Sequence, residues 1–193
     1  MKLGVLGGTF DPPHVGHLIF AELAREQLGL DRVRFIPAGD PWRKSGKGIT
    51  AAADRLAMTR LAVAGNAAFE VDDCEVRREG PSYTAVTLAA IAAALAPADE
   101  LFFLVGEDAL ADLPHWHHPA AIARAAVVAV AAREGAALPA ALPFGKERLV
   151  RVAMPVIDVS STDLRERARR GASLRYFVPA AVEAYIHEQG LYV

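Results

Sequence analysis

Apolar positions along the chain fall into two alternating patterns. Short, nearly continuous apolar runs at residues 2–6, 33–36, 69–71, 101–105, 126–131 and 150–156 predict β-strands. Between them, apolar residues recur at helical spacing over residues 16–28, 51–64, 83–95, 119–124, 161–170 and 179–189, the last closed by Gly190. Strands apolar at consecutive positions belong to a sheet covered on both faces, because neighbouring side chains point to opposite sides. Strand–helix alternation therefore predicts an α/β fold: a doubly wound, mostly parallel sheet with helices on both faces. Residues 37–50 and 134–148, rich in Gly, Pro and Ala, read as surface loops. With no internal repeat or charge block, the expectation is a single domain over residues 1–193 with a C-terminal helical part from about 160 to 193.

Composition narrows the class. Of 193 residues, 53% are hydrophobic and 23% charged, enough to build a core and a solvated surface. A formal net charge of −2 supplies no field for a polyanion, so no nucleic-acid partner is expected. The most apolar stretches, residues 85–96 and 125–132, are too short to span a bilayer, so no membrane partner is expected either. The chain meets Gly7 and Gly8 before any long apolar stretch of a secretory signal could develop. Its single cysteine, Cys74, has no disulfide partner within the chain. These features lead to the expectation of a soluble cytoplasmic protein. Its Ala-rich helices could pack between the subunits of a homo-oligomer or within one chain.

Ligands of doubly wound sheets sit beyond the carboxyl ends of the strands, which directs attention to the segments following the predicted strands. Residues 7–17, GGTFDPPHVGH, contain neither GxGxxG nor the GK-Ser/Thr of a phosphate loop. Gly7 and Gly8 nevertheless let backbone N–H groups approach an anion, and a helix beginning near Val15 aims its positive end at the same place. His14 and His17, three apart, can face one point and donate to phosphate oxygens. A tight strand-to-helix turn with two surface histidines is the other reading of the same residues. Residues 158–165, DVSSTDLR, place Ser160, Ser161 and Thr162 at a helix start and Arg165 one turn in. That set forms an anion site or, alternatively, a plain N-cap before a solvated basic face.

Two more segments carry candidates. In GPSYTAVT, residues 80–87, amides and hydroxyls at Tyr83 and Thr84 just before a helix could accept a carboxylate, or could simply cap the helix above a core tyrosine. In LVGEDALADLPHW, residues 104–116, Gly106 permits close approach. Asp108 could bond a ribose or order a histidine, and Trp116 offers a flat face or part of the core. His115, His117 and His118 have a spacing that suits no helical metal pair, so they are expected on the surface and no protein-held metal is expected. Arg43 and Lys44, in PAGDPWRK at residues 37–44, can neutralise phosphate charge.

The first segment resembles the GGxFDPxHxGH signature of bacterial nicotinate-mononucleotide adenylyltransferases, members of the HxGH nucleotidyltransferase superfamily. Residues 158–165 resemble that family's ISSTxxR motif, residues 80–87 its GxSYTxxT segment, and residues 104–116 its GxD site followed by a tryptophan. RLAM at 55–58 and the ending VPAAVEAYIHEQGLY are similar to further family segments, with Arg55 expected to be structural. PAGDPWRK departs from the family's PxxxPPHK by placing Trp42 and Arg43 where the second proline and the histidine usually stand.

The resemblance implies a Rossmann-like nucleotidyltransferase fold and transfer of AMP from ATP to nicotinic acid mononucleotide, giving deamido-NAD and pyrophosphate, with Mg²⁺ carried mainly by the ATP phosphates. It implies catalytic roles for His14, His17 and Arg165. ATP would be bound by Gly7, Gly8, Thr9, Phe10, His14, His17, Gly106, Asp108, Ser160, Ser161 and Arg165. The mononucleotide would be bound by Arg43, Lys44, Tyr83, Thr84 and Trp116. Two alternatives remain open from sequence: a sister adenylyltransferase acting on nicotinamide mononucleotide or phosphopantetheine, and a nucleotide-binding regulator without catalysis.

Overall fold

The structure is a computed structural model that describes residues 1–42, 48–132 and 142–193. Along the chain it places β1 (Lys2–Gly8), α1 (Val15–Leu28), β2 (Arg32–Pro37), α2 (Ala52–Val63), β3 (Phe69–Val71) and α3 (Cys74–Arg77). There follow α4 (Thr84–Ala94), β4 (Glu100–Val105), α5 (Glu107–Asp112), α6 (Pro119–Ala125), β5 (Val127–Ala132), β6 (Leu149–Ala153), α7 (Ser161–Arg169) and α8 (Ala180–Glu188). The strands form one sheet in the order β3-β2-β1-β4-β5-β6. The ladders β1–β4, β4–β5 and β5–β6 are parallel, with Leu3 opposite Leu101, Phe102 opposite Val127 and Val128 opposite Leu149. The order steps outward from β1 to β2 and β3, then returns to β4 on the other side, which is the doubly wound arrangement the alternation predicted.

All six expected strands are present, and two short helices were not anticipated. α3 and α5 are four and six residues long, too short to leave a 3.6-residue period in the sequence. β6 stops at Ala153 rather than at residue 156, since Pro155 has no N–H to extend the ladder.

The described chain groups into two compact units. The first comprises residues 1–7, 20–34 and 83–156 and is organised on the ladders of β1, β4, β5 and β6. Every residue of β4 from Leu101 to Val105 is buried, so both faces of this strand are covered. In this unit α4 packs on α6, and α5 and α6 both pack on β5. The side-chain amide of Gln27 donates to the carbonyl of Ala153 at 2.8 Å and accepts from its N–H at 2.9 Å, closing the end of β6.

The second unit comprises residues 8–19, 35–82 and 157–193. Its core is Met58 and Ala62 of α2 with Leu164 of α7, Leu174, Val178, and Val182 and Ile186 of α8. Met58 and Val182 are fully buried, and each such side chain contributes about 1.5–3 kcal/mol of transfer free energy. This packing holds α7 at the place where its first turn meets the segment after β1.

Candidate functional site

In the second unit the chain leaves β1 through Gly8. A Cβ there would lie 3.0 Å from the Phe10 ring, so any larger residue would press on that ring. Phe10 itself adopts φ +50°, an uncommon conformation for a bulky residue, and is buried against Phe35 and the edge of His17, with ring centroids 5.9 and 5.1 Å away. At Gly7, by contrast, a Cβ would meet no atom within 4 Å. Packing does not demand that glycine, and its absent side chain leaves open backbone.

The two histidines are joined through the start of α1. His14 precedes the first helical residue, and its carbonyl accepts from the N–H of His17 at 3.0 Å. In return the His14 N–H donates to Nδ1 of His17 at 3.1 Å, a reciprocal cap with an imidazole where a glutamate or glutamine usually serves. With Nδ1 accepting, the proton of neutral His17 resides on Nε2. The two rings lie 3.7 Å apart at 31°. His14 is buried, its Nδ1 has no hydrogen-bond partner, and burial pushes its pKa down to about 4. A Cβ on Gly16 would stand 3.0 Å from that Nδ1, which accounts for the glycine between the histidines.

The serine- and arginine-bearing segment joins the same loop. Ser161 Oγ donates to the Pro12 carbonyl at 2.8 Å, and Arg165 Nη1 donates to the Asp11 carbonyl at 2.8 Å. Ser160 is the N-cap of α7, accepting from the Asp163 N–H at 3.1 Å and donating to its carboxylate at 2.6 Å. The N-cap reading of the segment holds at Ser160, while Ser161 and Arg165 reach back to carbonyls of the loop after β1. The remaining basic residues serve local structure: Arg167 donates to the Ser173 carbonyl and Arg169 pairs with Glu166.

Sequence reasoning missed the Asp11 carboxylate and Tyr192 beneath this loop, whereas Arg55 is structural as expected. Asp11 is buried, with Oδ1 accepting from the Tyr192 hydroxyl at 2.7 Å and Oδ2 from the Thr50 N–H at 3.3 Å. Arg55, 1% exposed, donates to the carbonyls of Thr9 (2.8 Å), Thr50 (2.9 Å) and Gly39 (3.0 Å). Burial lowers its pKa, with Asp11 opposing the shift. The sequence signals that burial: Arg55 shares the spacing of buried Met58, Thr59 and Ala62, a lone charge on an apolar helical stripe. Ser82 fastens the neighbouring turn, accepting from the Gly39 N–H at 3.0 Å.

Tyr83, Thr84, Gly106, Asp108 and Trp116 lie in the first unit. Gly106 and Asp108 are exposed at the start of α5, and a Cβ at Gly106 would meet nothing within 4 Å. Tyr83 is the residue before α4 and Thr84 its first, where the leading N–H groups have no partner within the helix. Trp116 is half-buried, with Nε1 donating to Asp112 at 3.0 Å and its ring edge on Phe103. His115 and His118 are exposed as expected. His117 departs from expectation: it is half-buried and stacks on Tyr83, centroids 4.0 Å apart at 22°. Among the described residues, no three His, Cys, Asp or Glu side chains converge as a metal site. The Cys74 thiol is pushed up to about 11 by burial and Asp72, which leaves it a poor nucleophile. Arg43 and Lys44 lie outside the described residues.

Comparison with known proteins bears on this arrangement. The profile of the cytidylyltransferase-like family matches residues 5–167. A protein of Thermomicrobium roseum named "Probable nicotinate-nucleotide adenylyltransferase" is 46% identical, the match covering 99% of this chain and 91% of that one. A protein of the same name from a Roseiflexus species is 48% identical, over 98% of this chain and 97% of that one. The chain belongs to the nicotinate-nucleotide adenylyltransferase family. Solved structures carry the fold further than sequence does. Plasmodium falciparum nicotinic acid mononucleotide adenylyltransferase complexed with APC has a TM-score of 0.77 at 13% identity, covering 99% of this chain and 96% of that one. The same enzyme complexed with NaAD has a TM-score of 0.74 at 15% identity, covering 99% and 97%. Membership of this adenylyltransferase family matches the resemblance read from GGTFDPPHVGH and its companion segments. No helix among the described residues is long and apolar enough to cross a membrane.

Proposed function

We propose that this chain, acting as one nucleotidyltransferase domain over residues 1–193 in the cytoplasm, transfers AMP from ATP to nicotinic acid mononucleotide. The observation that carries the assignment to this site is the buried, unpartnered Nδ1 of His14 beside His17, in a loop clamped by Ser161 and Arg165. A buried polar atom without a partner costs free energy that a bound ligand's hydrogen bond would recover. Its surroundings of imidazoles, hydroxyls, a guanidinium and a helix start are those of a phosphate group's host.

In the reaction a phosphate oxygen of the mononucleotide forms a bond to the α-phosphorus of ATP while the bond from that phosphorus to the bridging oxygen breaks, and pyrophosphate leaves. The acceptor phosphate is already an anionic nucleophile, so no side-chain nucleophile is required. The protein's part is to hold two repelling anions in line and to meet charge developing on the transferred group. His17 presents Nε2–H for that purpose, and His14 offers a second imidazole 3.7 Å away. Gly7, Gly8, Thr9 and Phe10 contribute backbone; Ser160, Ser161 and Arg165 receive the β- and γ-phosphates. Gly106 and Asp108 take the adenosine. Tyr83, Thr84 and Trp116 hold the nicotinate half, with Arg43 and Lys44 balancing its phosphate. Mg²⁺ fits as part of the ATP substrate, its oxygens coming from phosphates and water.

One assay tests the reading: pyrophosphate release from ATP and Mg²⁺ with nicotinic acid mononucleotide, nicotinamide mononucleotide or phosphopantetheine as acceptor. Fastest release with nicotinic acid mononucleotide is expected. Release only with phosphopantetheine assigns a sister enzyme, and ATP binding without release for any acceptor assigns a regulator.

A further inference from the structure

Tyr192 stands next to last in the chain, with its backbone at φ +66°, in the left-handed region that aromatic residues seldom occupy. Such backbone persists where surrounding contacts hold it, and it clusters at functional places. Its half-buried side chain is tied at the hydroxyl, which donates at 2.7 Å to Oδ1 of Asp11, 181 positions earlier. Its ring packs against the core formed by α2, α7 and α8.

Asp11 is the third residue before His14. Its carboxylate is held by Tyr192 and the Thr50 N–H, and its carbonyl receives Nη1 of Arg165. Rotation of this residue would therefore displace the perch of Arg165 and, through Pro12 and Pro13, the start of the His14–His17 cap. We propose that the Tyr192 hydroxyl is a positioning group for the phosphate site: acting through Asp11, it fixes Arg165 and the two imidazoles relative to one another. This rests on the reading of His14, His17 and Arg165 as the phosphate-handling set. The hydroxyl bonds Asp11 and approaches Met58 Sδ at 3.9 Å, both groups of the protein itself. Its effect is on alignment, to which transfer between two anions is sensitive at the scale of an ångström.

Tyr185 supplies the control. Its hydroxyl donates to Asp54 at 2.8 Å, stapling α8 to α2 with no bond to the loop. The test compares Tyr192→Phe, Tyr185→Phe, Asp11→Asn and the double variant Asp11→Asn/Tyr192→Phe in the full chain. Steady-state kinetics with ATP and nicotinic acid mononucleotide, thermal melting, and the imidazole ¹⁵N signals of His14 and His17 are measured for each. Tyr192→Phe is expected to stay folded and to lower kcat about tenfold while changing KM less than about twofold, as misalignment without lost binding should. It should also shift both imidazole signals. In the Asp11→Asn background the same substitution should add little, because the path through Asp11 is already altered. Unchanged kcat and imidazole signals in a folded Tyr192→Phe, equal losses in Tyr185→Phe, additive effects in the double variant, or an unfolded Tyr192→Phe would each overturn the proposal. If the wild-type protein turns over no acceptor, the transfer reading fails, while the imidazole signals still decide whether Tyr192 positions the histidines.

Discussion

The N–H of His14 donates to Nδ1 of His17 at 3.1 Å, and that bond explains the three-residue spacing of the two histidines. A helix cap needs its side-chain acceptor three residues after the capping position. Here the acceptor is an imidazole, so the bond that starts α1 also commits the His17 proton to Nε2. Cap and candidate catalyst are one side chain, and the two roles can be separated by substitution.

His17→Asn retains a short polar side chain able to reach the His14 N–H but removes Nε2. Melting should stay close to wild type, since loss of a cap costs only about 1 kcal/mol even when complete. Turnover should fall by about a hundredfold or more, the scale on which a transition-state donor acts. Pyrophosphate release at saturating ATP checks both; near-normal turnover removes His17 from the catalytic set.

His14 makes stability depend on pH. Its imidazole titrates near 6.5 in the unfolded chain and near 4 in the folded protein, because burial penalises the charged form. Between those values the unfolded chain binds more protons. Stability is therefore full above about pH 6.5 and declines as pH falls toward 4, by up to about 3 kcal/mol from this residue. Urea midpoints from pH 7 to 4 should show the decline, and His14→Gln should flatten that part of the curve. Saturating ATP should raise the His14 pKa, read from its imidazole resonance, if phosphate charge sits beside it.

Gly16→Ala tests the close approach to His14. A methyl group 3.0 Å from Nδ1 must displace the ring, while alanine is the better helix former by about 1 kcal/mol. The expected variant melts no lower than wild type and turns over at least about tenfold more slowly. Gly7→Ala contrasts with it. The protein has room for that Cβ, so folding should be unaffected and any change should appear in KM for ATP, measured in the same assay.

Arg55→Leu removes three charge-assisted hydrogen bonds made by a buried guanidinium and leaves the half-buried carbonyls of Thr9, Gly39 and Thr50 without those donors. Unsatisfied acceptors cost about 1–3 kcal/mol each when fully buried, so a loss of a few kcal/mol is expected. Chemical denaturation measures it. Arg55→Lys should recover only part, since one ammonium cannot reproduce the guanidinium's fixed fork.

The strands and longer helices were legible in the sequence because burial on a sheet or helix face leaves a period in the residues themselves. β4 is apolar at consecutive positions because both its faces are covered, and that pattern needs no partner to be read. The helix starts at both candidate segments were legible for a similar reason: the HxGH spacing is a helix-cap spacing, and SSTxxR carries its cap at Ser160. α3 and α5 were not legible, being shorter than the period that would reveal them. His117, expected on the surface, stacks on Tyr83, a neighbour 34 positions away that local pattern cannot specify.

By itself, then, the sequence determined the strand–helix alternation, the segments proposed to bind anions and the resemblance that names the family, because each rests on residues close together along the chain. The tertiary structure alone decided what stands around those segments. It set Ser161 and Arg165 on the carbonyls of Pro12 and Asp11, buried Arg55 beneath three separate turns, and returned Tyr192 to Asp11 at the far end of the chain. Such pairings form when apolar helices find a common core and carry their polar residues with them, and no local periodicity records where those residues come to rest.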